Sequence, residues 1–398
     1  MSLFNAVEMA PRDPILGLNE QFASDPNPAK VNLGVGVYYD SNGKLPLLHC
    51  VQAAEKLMMD SPKPRGYLPI DGLAAYDLAV QALVFGADSE PVKSGRIATA
   101  QSIGGTGGLK IGADFLKKLS PDAKVLISDP SWENHRALFT QAGFEVESYP
   151  YYDAAKRGVD FDGMLAALNT APAATIVLLH ACCHNPTGYD ITPAQWDQVI
   201  ATVQARKLTP FLDMAYQGFG HGIAEDGAVI AKFVASGLSF FVSTSFSKSF
   251  SLYGERVGAL SVLCQSKDEA ARVLSQMKLV IRANYSNPQI HGGTVVATVL
   301  NTPALRAQWE GELAEMRVRI KSMREKLVVG LKAAGVKQDM SFITSQIGMF
   351  SYSGLNKDQM VRLRSEFGIY GTDTGRMCVA VLNDKNIEYV CASIAKVL

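Results

Sequence analysis

Lys248 ends the tetrapeptide Ser245-Phe246-Ser247-Lys248, directly after the apolar run Phe240-Phe241-Val242-Ser243-Thr244, and Arg256 follows eight positions later. An amine so placed condenses with aldehydes, and the neighbouring hydroxyls and guanidinium suit the dianion of a phosphate ester. Upstream, Phe211-Leu212-Asp213-Met214-Ala215-Tyr216 closes another short strand with a carboxylate and a phenol. These are the groups needed to polarise a pyridine ring and its 3-oxygen, so three segments converge on one cofactor, pyridoxal 5'-phosphate.

Other segments carry weaker signals. Gly104-Gly105-Thr106-Gly107-Gly108 precedes the helical Leu109-Lys110-Ile111-Gly112-Ala113 and reads as a glycine loop opening a helix, where free N–H groups and the helix dipole cradle a phosphate. It matches neither G-x-x-x-x-G-K-[ST] nor a full G-x-G-x-x-G, which argues against a nicotinamide-dependent dehydrogenase. Asn185-Pro186-Thr187-Gly188 is a turn that presents an amide at a strand end. Trp132, in Asp129-Pro130-Ser131-Trp132, leaves a strand through a proline turn and presents its indole to a planar ligand. His135 receives no role. His180-Ala181-Cys182-Cys183-His184 offers imidazoles and thiols, but in an extended segment alternate side chains stand roughly 6.6 Å apart, too far for one zinc ion. Arg282 and Arg376 gain interest because guanidinium grips carboxylates through paired hydrogen bonds.

The elements that must position these residues follow from hydrophobic patterning. Apolar runs at 96–101, 124–128, 145–149, 175–180, 210–213, 240–244 and 258–263 alternate with helical segments, which predicts an α/β fold whose sheet is covered on both faces. In such sheets ligands gather at the carboxyl ends of strands, where the residues singled out above fall. After Thr302-Pro303, apolar residues from Leu305 through Trp309, Leu313, Met316, Ile320, Met323, Leu327 and Leu331 recur at helical spacing. They predict one long helix ending near Gly335 and bridging into a C-terminal subdomain with strand-like segments at 348–352 and 375–380.

The length of 398 residues, 47% of them apolar and 19% charged, predicts two domains around a large core. Lys and Arg total 38, matched by 38 Asp and Glu, so no long-range field favours nucleic acid or an anionic membrane. The octapeptide Met1–Glu8 lacks a basic and an apolar signal region, and a cytoplasmic location is expected. Six cysteines without framework spacing are expected to be reduced and buried.

Taken together, Asn32–Tyr38, Gly66–Gly72, His184–Gly188, Ala215–Phe219, Ser245–Lys248 and Tyr253–Gly258 resemble, in order, the sequence blocks of the class I pyridoxal-phosphate aminotransferases of the aspartate and aromatic type, from about Pro11 onward. The resemblance implies the type I fold of pyridoxal-phosphate transferases: an N-terminal arm and part of a small domain over 1–45, a large cofactor domain over 46–305, and a C-terminal small α+β domain over 306–398. It further implies that Lys248 carries the cofactor, Asp213 pairs with its ring nitrogen, Tyr216 and Asn185 bind its 3-oxygen, and Trp132 stacks on its ring. Gly105, Thr106, Ser245, Ser247 and Arg256 match the phosphate cup, completed by Tyr67 from a neighbouring subunit. Arg376 matches the residue for the substrate's α-carboxylate. Gly36, Trp132 and Asn185 also border the substrate, and Arg282, lent by the neighbour, meets a distal carboxylate.

A homodimer with shared sites is therefore implied, acting on L-amino acids and 2-oxo acids, 2-oxoglutarate among them, by a ping-pong mechanism. Tyr39 and Leu45 stand where aspartate-specific relatives carry lysine and threonine, and both changes favour an apolar pocket wall, similar to the bacterial aromatic branch. Asn287-Pro288-Gln289 departs from the family pattern, which usually repeats the proline.

Overall fold

The computed structural model describes residues 2–11, 13 and 15–398. Its centre is a seven-stranded sheet of β1 (Ile97–Ile103), β2 (Val125–Asp129), β3 (Val146–Pro150), β4 (Ile176–His180), β5 (Thr209–Met214), β6 (Phe240–Ser245) and β7 (Val257–Leu263), in the order β1-β7-β6-β5-β4-β2-β3. β7 runs antiparallel to both its neighbours and the remaining pairs are parallel. The seven predicted strands are all present, with ends displaced by at most two residues.

Continuous apolar strands are stable only when both faces are covered, and successive residues here do feed opposite cores. Ile176 and Leu178 pack into one buried cluster with Phe211, Phe241 and Leu260, while Val177 and Leu179 join the other with Leu212, Val242 and Phe240. Burying each such side chain contributes about 1.5–3 kcal/mol, so a register slip would be disfavoured many times over.

The glycine run is a correction. The structure has no loop there, because α1 (Gly104–Leu119) begins at the first glycine. The reason is packing: a Cβ on Gly108 would stand 2.9 Å from the Ala259 carbonyl oxygen, and one on Gly112 would stand 2.5 Å from the Phe211 ring. Absent side chains let the helix lie directly on the sheet.

The long helix α2 (Pro303–Ala333) follows Thr302, and Trp309, Leu313, Met316, Ile320, Met323, Leu327 and Leu331 are all buried along it. Beyond it, Phe350–Tyr352 pairs antiparallel with Arg376–Cys378. Val31–Asn32 pairs in parallel with Ile369–Tyr370, so the two ends of the sequence share one small body and bring Gly36 and Arg376 to the same cavity. All six cysteines are buried and free. Among the described residues no helix is long and apolar enough to cross a membrane.

Candidate active site

The carboxyl ends of β4, β5 and β6 lie side by side, with His180 opposite Asp213 and Asp213 opposite Ser243. Above them opens a cavity of about 870 Å³, lined by Gly36, Gly105, Thr106, Trp132, Asn185, Asp213, Tyr216, Ser245, Ser247, Lys248, Arg256 and Arg376. A second hollow, of about 610 Å³ between His221, Gln217 and Arg306, contains none of the candidate site residues. Tyr67 and Arg282 are not brought into the first cavity. Tyr67 is 96% exposed, and Arg282, on the exposed face of the helix Lys267–Asn284, donates to Ser286 Oγ. Tyr39 and Leu45 do not line the cavity either.

One end of the cavity is a cradle of donors. The first-turn N–H groups of α1 have no intrahelical acceptor; that of Gly104 reaches the Arg256 carbonyl at 2.9 Å, and Gly105 and Thr106 border the cavity. Arg256 folds over this helix end, close enough that a Cβ on Gly104 would meet its Nη2 at 2.5 Å. Its Nη1 donates to Ser247 Oγ at 3.3 Å and to the Tyr253 carbonyl at 2.9 Å. The Ser245 and Thr106 hydroxyls complete a set suited to a phosphate dianion.

Lys248 lies at the centre, its ammonium 5.2 Å from the centroid of the Tyr216 ring. Loss of hydration lowers its pKa to about 8; Asp213 opposes that shift and Arg256 adds to it. A free amine is therefore accessible near neutrality. Asp213 feels the contrary balance. Burial works against its charge, but the His135 hydrogen bond and the nearby His135, His180 and Lys248 outweigh that and hold it below its ordinary value. Burial also raises the pKa of the Tyr216 phenol well above its ordinary value, leaving a neutral donor.

His135, given no role on sequence grounds, is fully buried against Asp213. Its Nε2 lies 2.9 Å from Asp213 Oδ2, and its Nδ1 lies 2.9 Å from Ser131 Oγ. Because an ionised carboxylate only accepts, Nε2–H is the donor. The available signal was Ser131 and His135 four residues apart around the start of the helix Glu133–Gln141 that follows Trp132. The extended geometry assumed for His180–His184 also fails, because β4 ends at His180 and the chain turns, placing the two rings 4.1 Å apart. His180 borders the cavity with a buried Nε2 that has no hydrogen-bond partner among the described residues.

At the opposite end, Arg376 is 1% exposed. Its Nη1 donates to Asn185 Oδ1 at 3.2 Å and its Nη2 to the Gly34 carbonyl at 2.6 Å, while its buried Nε has no partner among the described residues. The guanidinium rests 4.5 Å over the Phe350 ring, and Glu133 Oε2 lies 4.0 Å away. Phe350 was read only as part of the strand-like segment 348–352; its carbonyl accepts from buried Arg324 at 2.5 Å.

A mostly parallel sheet with an amine, a buried carboxylate and an anion cradle at its strand ends defines an α/β protein built for group-transfer chemistry on a bound organic cofactor. Residues 28–394 match the family model "Aminotransferase class I and II". Over its full length and theirs, the chain is 63% identical to an aspartate aminotransferase of Pseudomonas aeruginosa and 51% identical to an aromatic-amino-acid aminotransferase of Escherichia coli. A crystal structure of an aromatic-amino-acid aminotransferase from Burkholderia pseudomallei, covalently bound to pyridoxal phosphate, superposes with a TM-score of 0.98 at 65% identity, with both chains fully covered. The chain belongs to the class I and II aminotransferases.

Proposed function

We propose that this aminotransferase uses pyridoxal 5'-phosphate to exchange an amino group between aromatic and dicarboxylic L-amino acids and 2-oxoglutarate. The observation that carries the reading is the convergence of Lys248, Asp213 and the donor-rich cradle around one cavity. The residues present fit the cofactor. The cradle contains hydroxyls, N–H groups and a guanidinium, Lys248 supplies an amine for the aldehyde, and Asp213 is an anion for a ring nitrogen.

In this assignment Lys248 holds the aldehyde carbon, Asp213 the ring nitrogen and Tyr216 with Asn185 the 3-oxygen, while Trp132 covers the ring. Gly105, Thr106, Ser245, Ser247 and Arg256 hold the phosphate. When bound, the cofactor supplies an electron sink for charge developing at the substrate α-carbon. Once the substrate's amino group has replaced Lys248 at that carbon, the freed amine would take the substrate α-proton onto its Nζ and hold it for return. Arg376 receives the α-carboxylate through its unpartnered Nε, and that grip leaves the Cα–H bond as the one presented to Lys248. His135 keeps Asp213 anionic and oriented.

Tyr67 and Arg282 stand exposed and outside the cavity of their own chain, which supports a homodimer in which each completes the site of the partner subunit. The division into 1–45, 46–305 and 306–398 and a cytoplasmic location belong to the same proposal. An aspartate-restricted enzyme is the second reading, favoured by the Pseudomonas aeruginosa relative. Initial rates with phenylalanine, tyrosine and aspartate as donors to 2-oxoglutarate separate the two. Parallel double-reciprocal lines for all three donors are expected, and turnover confined to aspartate would establish the restricted enzyme.

A further inference from the structure

The two exposed residues assigned to the partner's site share a buried support. Gln101, fully buried on β1, has every polar group engaged. Its backbone N–H donates to the Asp71 carbonyl at 2.8 Å, and its Oε1 accepts from the Leu73 N–H at 3.2 Å. Its Nε2 donates to the Gln289 carbonyl at 2.8 Å, and its own carbonyl accepts from the Tyr285 hydroxyl at 3.5 Å. The first pair grips the segment just after Tyr67, and the second grips the segment just after Arg282. Nothing larger than glycine fits between, since a Cβ on Gly72 would lie 2.4 Å from the Gln101 Cβ.

Gln289 extends this support to the chain's own phosphate cradle. Its side-chain Nε2 donates to the Arg256 carbonyl, the acceptor already used by the Gly104 N–H. Arg256 is held at φ 54°, a left-handed conformation that a non-glycine residue keeps only when its surroundings fix it. Arg282, near the end of its helix, is in turn tied to Ser286 in the loop that leads to Gln289.

We propose that Gln101 and Gln289 are positioning residues: an amide bracket that sets Tyr67 and Arg282 at fixed reach for the partner's site and couples them to the chain's own phosphate cradle. The inference rests on the shared-site reading above. Amides suit the task because they bridge a donor and an acceptor without titrating.

The test compares Gln289→Met, which keeps length and removes the donor, with Arg282→Ala. For Gln289→Met, KM for aspartate and 2-oxoglutarate should rise about fivefold, the scale of one hydrogen bond, with kcat and the phenylalanine KM within about twofold. Titration of the cofactor-free protein with pyridoxal phosphate should show weaker binding by a similar factor. In Gln101→Met, hydrogen exchange should quicken together at 71–73 and 285–290. Equal KM changes for dicarboxylic and aromatic substrates, unchanged cofactor binding, or quickening of only one segment would overturn the bracket. If Arg282→Ala discriminates between the substrates and Gln289→Met does not, the bracket alone falls. If Arg282→Ala does not discriminate either, the shared-site reading falls with it. Gln289→Met changes a half-buried loop position, so the kinetic and binding arms remain decisive should Gln101→Met fail to fold.

Discussion

The strand-end layer and the outer rim of the molecule solve the problem of placing functional groups differently. At the strand ends, Asp213, His135, Ser245 and Ser247 are buried and held by β5, β6 and the helix beside them, so one chain completes that part of the cavity. On the rim, Tyr67 and Arg282 project from surface segments and reach nothing in their own cavity. In the function proposed above, the rigid strand ends hold the chemistry common to every substrate, whereas Arg282 on the rim tells substrates apart.

The sharpest break of that contrast is Lys248→Ala. Loss of the strand-end amine should lower kcat for every donor by at least about 10³-fold, together with the visible absorbance of the bound cofactor. Retention of either would remove Lys248 from the proposed chemistry. Asp213→Ala should lower single-turnover α-proton removal by about 10²–10³-fold, again for all donors alike. At the rim, Arg282→Ala should impair aspartate and 2-oxoglutarate by about 10–100-fold in kcat/KM and leave phenylalanine nearly untouched. Equal losses across the three would erase the distinction between layer and rim. His135→Phe should cost about tenfold in kcat through Asp213, with a smaller change in substrate KM.

The mildest test uses pH. Since burial depresses the Lys248 pKa to about 8, its neutral fraction grows as pH rises toward that value and levels off above it. Capture of pyridoxal phosphate by the cofactor-free protein, followed by absorbance, should accelerate about tenfold per pH unit below pH 8 and then flatten. A midpoint near the ordinary lysine value would mean that the amine is hydrated.

How much of this was legible in the sequence follows the same division. Apolar runs bounded by turns located all seven strands, because a strand covered on both faces leaves an unbroken hydrophobic signature. Lys248, Asp213 and Arg256 were legible because they interrupt or end such runs. Gly104–Gly108 was misread as a loop, since what makes those glycines necessary is the Arg256, Ser245 and Ala259 surface that α1 approaches, which no local pattern reveals. His135 was passed over for a related reason: its partner Asp213 lies 78 residues away. Gln101 and Gln289 carry no local signature either, being ordinary amides until the fold sets them against one another.

The buried thiols have a practical consequence. Cys50, Cys182, Cys183, Cys264, Cys378 and Cys391 are spread from the helix His49–Asp60 to the last helix, Ile387–Val397, and each is shielded in the native state. Alkylating reagents therefore act on this protein as a clock for transient opening, and the order in which the six sulfurs become modified would map which part of the molecule loosens first.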